Sequence, residues 1–336
     1  MKSMHARWIT FWVCLLFSFS LSAAEIKMAL LVPEGSTWMN LMHEWDKELQ
    51  AKTAGRVKFQ FYSGGAMGDE RDVVRKMQIG QLHAAGLTGQ GSGMILPEIR
   101  VMEIPFLFET HAQVEQARKA LSQTIAQDFE KKGYVLLGWA ENGFVYIFSK
   151  KPIATRADMK KQKMWAWVGD PLVAKLYEIF QITPVPLAMP DVLPSLQTHL
   201  VDAVYGPPLA VLAAQWFTAV SYVTAMPVTH ATGTVLLTKK MWQTLSPEDQ
   251  QVLRSTAEKY TAKLNLQITS ENEAALKTLY ESGLKKVEVT PEESAAIRTQ
   301  ASKVRSALAG ELYPAVMLKT VEQIVSPKTS MAAQGR

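Results

Sequence analysis

Cysteine is nearly missing: the 336 residues hold one, Cys14, inside an apolar stretch near the N-terminus. Disulfide scaffolding and cysteine nucleophiles are therefore excluded for the rest of the chain. Metal-ligand spacing is missing too. The six histidines, His5, His43, His83, His111, His199 and His230, stand at no zinc spacing with one another, and His43-Glu44 lacks the second histidine of a zincin. Net charge is small. With 36 Lys and Arg against 31 Asp and Glu the chain carries +5, and no long basic run concentrates it, which argues against nucleic acid. No phosphate loop is present. Gly89-Gln90-Gly91-Ser92-Gly93 is not a dinucleotide fingerprint, because its third glycine comes too early. Nor is it a nucleophile elbow, because Gln90 holds the first glycine position. Past the N-terminus no run reaches the roughly 18 apolar residues of a membrane span. The composition, 48% hydrophobic and 20% charged, excludes disorder and fibrous classes.

What is present begins with an export signal. Lys2 and Arg7 precede the apolar run Trp8 to Leu21, and Ser22-Ala23-Ala24 offers small residues for a cut before Glu25. Residues 1–24 read as a signal peptide, too short for a comfortable membrane anchor. Cys14 has no small residues before it and is a poor lipid-attachment site. Residues 25–336 are expected to be soluble, in the periplasm, and long enough for two domains built on their own cores.

Strand-like and helix-like stretches alternate. Ile26 to Val32 reads as a buried strand. Trp38, Leu41, Met42, Trp45 and Leu49 then recur at helical spacing after Gly35-Ser36-Thr37. Val57, Phe59 and Phe61 alternate as a second strand, Asp69 to Ile79 is amphipathic, and Leu82 to Leu87 is a third strand. The glycine-rich segment 86–93 reads as a loop. Asp69, Glu70 and Asp72 read as a solvated helix start rather than an acid/base pair. This pattern predicts an α/β sheet with ligand loops at strand ends. An internal echo supports two similar lobes. Asp72 to Gln78 followed by Leu82-His83-Ala84 matches Asp191 to Gln197 followed by Val201-Asp202-Ala203, at the same spacing. Ser246-Pro247-Glu248-Asp249 opens a helix with a Ser cap, Pro at the first position and acids in the first turn. Nothing obvious stops it before Gly283. One helix of about 247–282 would reach across both lobes; a break near Thr269-Ser270 is the alternative.

The string Gly64-Gly65-Ala66-Met67-Gly68-Asp69-Glu70-Arg71-Asp72 resembles the solute-binding subunits of TRAP (tripartite ATP-independent periplasmic) transporters, the DctP-like family. Further strings keep the family's order: Pro105-Phe106-Leu107-Phe108, Glu141-Asn142-Gly143-Phe144, and Pro152-Ile153 through Asp158-Met159-Lys160. Leu196-Gln197 to Val201-Asp202-Ala203 and Trp242 with Leu245-Ser246-Pro247-Glu248-Asp249 complete them. The resemblance covers nearly all of residues 25–336. It implies a two-lobed periplasmic binding protein fold of α/β class with a long helix spanning both lobes. It implies a binding protein for a permease driven by an ion gradient, with no enzymatic activity and no cofactor. The lobes implied are 25–141 plus 233–271, and 142–232 plus 272–336.

The resemblance also shows departures. Where such proteins typically hold a carboxylate with an Arg after the Asp-Met-Lys stretch, this chain has Trp165 within Lys163-Met164-Trp165-Ala166-Trp167. Val145 stands where a second Arg commonly follows Asn-Gly-Phe. Tyr205-Gly206 replace a Glu-Asn pair, and Leu31 an Asn. A guanidinium offers a planar fork to a carboxylate, and an unpaired buried carboxylate costs several kcal/mol. The expected ligand-binding residues are Leu31, Thr88, Val145, Trp165, Trp167, Met189, Tyr205 and Gly206. A cleft so lined is expected to take a hydrophobic or amphiphilic ligand, lipid-like or isoprenoid, and to work with the permease subunits and a helical-repeat periplasmic partner. The alternative is a small organic or aromatic carboxylate held by a relocated cation, with Arg71, Arg75, Arg100 and Lys163 available.

Overall fold

Apolar runs of four to ten residues alternate with helices, and burying those runs produces the sheet. The structure is a computed structural model that describes residues 23–326. The expected signal peptide lies outside these save for Ala23 and Ala24. The first half of the chain holds β1 (Ala24–Leu30), α1 (Thr37–Lys52), β2 (Val57–Tyr62), α2 (Glu70–Gln78), β3 (Ala84–Thr88) and α3 (Gly89–Ile95). A 3-10 turn (Pro97–Glu103) and α4 (His111–Lys131) lead into β4 (Tyr134–Ser149), the longest strand. Next come α5 (Arg156–Lys160), β5 (Met164–Trp167), α6 (Pro171–Phe180), β6 (Pro184–Leu187), α7 (Val192–Gln197), β7 (Ala203–Gly206) and α8 (Pro208–Ala213). The chain ends through β8 (Tyr222–Thr224), β9 (Thr229–Thr238), α9 (Lys239–Trp242), α10 (Pro247–Glu281), β10 (Lys285–Val287), α11 (Pro291–Leu308) and α12 (Ala315–Val325).

The strand order is β2-β1-β3-β9-β4-β7-β5-β6, with β8 beside β4 and β10 beside β8. β1 is parallel to β2 and β3, and β5 is parallel to β6 and β7. Between these two parallel groups run β9 and β4, antiparallel to each other and to their neighbours. The result is two α/β lobes joined through a shared pair of long strands. The register of β4 on β9 slips between Glu141 and Gly143. Gly143 has φ of 109°, which favours glycine, and a Cβ there would lie 2.5 Å from Asn272 Nδ2. Asn272, from α10, donates to Asn142 O (2.9 Å) and accepts from Leu209 N (3.1 Å), tying β4, α10 and α8 together.

α10 runs unbroken for 35 residues past Thr269-Ser270, about 52 Å at 1.5 Å per residue. Ser246 caps it by accepting from Asp249 N. Its Leu253, Ala257, Tyr260, Leu264 and Ile268 belong to the core around β1 and α1, and its Leu279 to the core around Trp165. One helix therefore packs on both lobes, as expected. Among the described residues no helix is long and apolar enough to cross a membrane.

The sequence echo extends to the backbone. Gln81 N and Leu82 N donate to Lys76 O, while Leu200 N and Val201 N donate to Ser195 O. His83 N then joins Lys27 O, the strand beside it, as Asp202 N joins Lys163 O. The left-handed turn residue is Gly80 in one unit and His199 in the other.

The segment expected as a loop over 86–93 is instead the end of β3 and a helix, α3. Thr88 caps it by accepting from Gln90 N. The glycines serve close approach. A Cβ on Gly89 would lie 2.2 Å from the Glu103 carboxylate, one on Gly91 2.7 Å from Glu70, and one on Gly93 2.9 Å from Arg100. Glycine here makes room for buried charged side chains rather than for a flexible turn.

Candidate functional site

In a doubly wound sheet the loops at the carboxyl ends of parallel strands form the ligand crevice. Here those loops of the two lobes touch. Trp167, at the end of β5, donates its indole Nε1–H to Asp69 Oδ2 (2.9 Å), in the loop after β2. Gln90, just after β3, donates Nε2–H to Val168 O (3.1 Å). Arg100 donates to both oxygens of Asp170, at 3.1 and 2.9 Å. These contacts close the junction.

The first wall is organised by Glu70. Its carboxyl accepts from Thr88 N (2.6 Å), Thr88 Oγ1 (2.6 Å) and Gly91 N (2.7 Å). Burial pushes its pKa up to about 7, against those hydrogen bonds. Asp69 and Glu70 are 8% and 1% exposed, so the expected solvated helix start is wrong for both. The reason is tertiary: the loop after β2 folds under the second lobe and onto α3. Asp72 alone of the three is exposed.

The second wall carries Arg100. Burial works against its charge, but Asp170 and Glu103 beside it more than offset that and hold its pKa above the usual arginine value. Burial raises the Glu103 carboxyl, opposed by Arg100 and by Thr232 N, which donates at 2.8 Å. Asp170 also caps α6, accepting from Leu172 N and Val173 N. Of the cations offered as relocated partners, Arg71, Arg75 and Lys163 are exposed, and Arg100 is buried and already paired.

The structure separates the expected ligand residues into three groups. Trp165, Trp167, Met189 and Tyr205 pack in one cluster. Trp165 is only 1% exposed. It stacks on Tyr205 (4.7 Å between ring centroids), meets Trp216 edge-on (5.3 Å), and donates Nε1–H to Leu187 O. Gly206 adjoins this group: a Cβ there would lie 3.4 Å from Val211 and 3.6 Å from Trp216. Trp167 is half-buried, and its backbone N donates to Tyr205 Oη. Val145 lies on the opposite face of the sheet. It lines, with Phe106, Ile147, Leu176 and Tyr205, an apolar cavity of about 50 Å³ against α6. Tyr205 takes part in both, lining that cavity and stacking on Trp165. Leu31 and Thr88 belong to the first lobe. A Cβ on Gly65 would lie 3.8 Å from Leu31, and Thr88 is held by Glu70.

A second cluster, buried except for His111, escaped the sequence reading because its members come from distant segments. His111, Glu141 and His230 place ligand atoms within 4.8 Å of one another, a donor set chemically suited to zinc. Arg118 already pairs with Glu141 Oε2 at 2.9 Å, and His230 Nε2 lies 2.5 Å from Oε1. Burial works to raise the Glu141 carboxyl, but the His230 hydrogen bond and the Arg118 charge outweigh it and hold it at about 2. Burial keeps His230 below the ordinary histidine value. The carboxylate is thus satisfied by the chain itself, and no metal is assigned.

The fold and this junction define a two-lobed α/β binding protein. Residues 28–311 match the family described as bacterial extracellular solute-binding protein, family 7 (DctP), and the chain belongs to that family. A solute-binding protein from Verminephrobacter eiseniae is 31% identical over 236 residues, 68% of this chain and 68% of the relative. The ectoine/5-hydroxyectoine-binding periplasmic protein of Ruegeria pomeroyi is 25% identical over 257 residues, 72% of this chain and 76% of the relative. Among solved structures, a TRAP periplasmic solute-binding protein from Ralstonia eutropha with bound (S)-2-acetolactate has a TM-score of 0.84 at 21% identity, covering 90% of this chain and 99% of that one. One from Pseudomonas putida with bound D-glucuronate has a TM-score of 0.82 at 22% identity, covering 93% and 98%. The family is that of periplasmic solute-binding subunits of TRAP transporters, which serve membrane permease subunits and are not enzymes. The ligands of those two structures are carboxylates, and they lend no support to the expected lipid-like ligand.

Proposed function

We propose that this solute-binding subunit closes on an amphiphilic solute, holding its apolar part against Trp167 and Tyr205 without a carboxylate-gripping arginine. The observation that carries the reading is the state of the cations at the junction. Trp165 and Val145 replace the two expected arginines, and Arg100 is occupied by Asp170 and Glu103. A carboxylate entering here would be desolvated without a free partner. Apolar surface removed from water contributes about 25 cal/mol per Å². We place the lobe boundaries at 25–141 with 233–271, and at 142–232 with 272–336. A helical-repeat partner rests on the family resemblance alone.

The second reading, a small carboxylate held by Arg100 after it leaves Asp170, is favoured by the acetolactate and glucuronate bound to the two structural relatives. Native mass spectrometry of the exported protein, followed by solvent extraction and a thermal-shift panel, separates the two. Retention of an amphiphile, or stabilisation by amphiphiles alone, is expected. Stabilisation by small carboxylates alone would replace the first reading with the second.

A further inference from the structure

The closed junction leaves two buried acceptors without a donor among the described residues: Asp69 Oδ1 and Gln90 Oε1. Their residues are only 8% and 5% exposed. A buried acceptor left unmet costs about 1–3 kcal/mol, so two in one place call for an explanation. The orientation of Gln90 is fixed by its partner, since a carbonyl such as Val168 O can bond only the NH2 end, which leaves Oε1 as the free atom. Asp69 stands at the N-cap of α2 yet makes no side-chain cap bond. An aspartate there ordinarily turns back to its helix. This one turns into the junction instead, where Oδ2 takes the Trp167 N–H and Oδ1 takes nothing.

The two residues are linked through one edge of the opposite lobe. Asp69 and Gln90 hold successive residues of the opposite lobe, Trp167 and Val168. Glu70, next to Asp69, is bonded to Gly91, next to Gln90. The nearby charges are mixed but acid-rich: Asp69, Glu103 and Asp170 are set against Arg100, which pairs the last two and not Asp69. Such a site offers acceptor oxygens to a donor. The half-buried Trp167 ring beside Asp69 adds a face that attracts cations.

We infer that the solute carries a protonated amine, whose N–H groups meet Asp69 Oδ1 and Gln90 Oε1 at the Trp167–Val168 edge. This rests on the solute-binding reading above and names the polar end of that amphiphile. Chemically it specifies an alkyl- or arylalkyl-ammonium with hydrogens left on nitrogen, rather than a carboxylic acid.

The test uses three probes with one apolar body: 3-phenylpropylamine, 3-phenylpropan-1-ol and 3-phenylpropanoate, titrated calorimetrically into the exported protein. The amine is expected to bind at least tenfold more tightly than the alcohol, with the carboxylate weakest. In Asp69→Asn the amine-to-alcohol preference is expected to fall toward one, and Gln90→Met is expected to weaken the amine. Circular-dichroism melts of both variants check that they fold. Equal binding of amine and alcohol, tighter binding of the carboxylate, no binding of any probe, or an unchanged preference in folded Asp69→Asn would each overturn the inference. A wider thermal-shift panel of acids, zwitterions and amines keeps the two claims apart. A different class that binds leaves the solute-binding reading standing, and silence across the panel removes both.

Discussion

At the scale of single residues, burial decides what the chemistry can be. Glu70 has an ordinary carboxyl pKa near 4.5 when unfolded and about 7 when folded. A group raised in this way gives stability that is complete below pH 4.5 and is lost as pH rises through 7. Glu70→Gln should therefore flatten the pH dependence. Between pH 4.5 and 7 the natural protein should lose up to about 1.4 kcal/mol per pH unit relative to the variant, measured by urea unfolding. Parallel curves for the two proteins would show that Glu70 is ionised throughout. Little of this was legible beforehand. Asp69, Glu70 and Asp72 look alike in the sequence, and only the fold of the loop after β2 separates the two buried ones from the exposed third. Trp165 shows the same limit. Its identity marks the missing arginine, but sequence cannot reveal that the ring stacks on Tyr205, meets Trp216 edge-on and serves the core.

At the scale of elements, regular patterns were readable and close approaches were not. The long helix was readable because Ser246-Pro247 caps it and no glycine or proline follows before Gly283. The repeated helix–strand unit was readable because its apolar spacing recurs. α3 was misread because three glycines in five residues ordinarily mark a turn, whereas here they admit Glu103, Glu70 and Arg100. The break in β4 is the element most exposed to mutation. Gly143→Ala places a Cβ at a φ of 109° and 2.5 Å from Asn272 Nδ2. A loss of about 1–3 kcal/mol in equilibrium unfolding is expected, since strain at such positions is of that order. A change below about half a kcal/mol would mean that the Asn272 tie between β4, α10 and α8 yields freely.

At the scale of the whole molecule, the two lobes and the crossing helix followed from the repeated unit, the helix signals and the family resemblance, and the closing contacts did not. Those contacts pair Asp69 with Trp167, Gln90 with Val168 and Arg100 with Asp170, residues about 70–100 positions apart with no spacing to betray them. Each should favour closure. Trp167→Phe keeps an aromatic ring but removes the N–H given to Asp69. A hydrogen bond to a charged group contributes about 1.5–3 kcal/mol, so the open form should gain about tenfold or more before solute is added. Small-angle scattering of the solute-free protein would record this as a larger radius of gyration, and identical curves would remove Trp167 from the closing contacts.

Three threads of chain, β4, β9 and α10, cross from one lobe to the other, and they are bonded to each other where they cross. Twisting one lobe about the molecule's length would shear β4 against β9 and break their ladder, whereas bending across the sheet only changes its curvature. Bending is therefore the softer of these two motions. Lobes that move along that bend present the permease with a face set by how far the bend has gone, so discrimination among solutes falls to the contacts inside the junction.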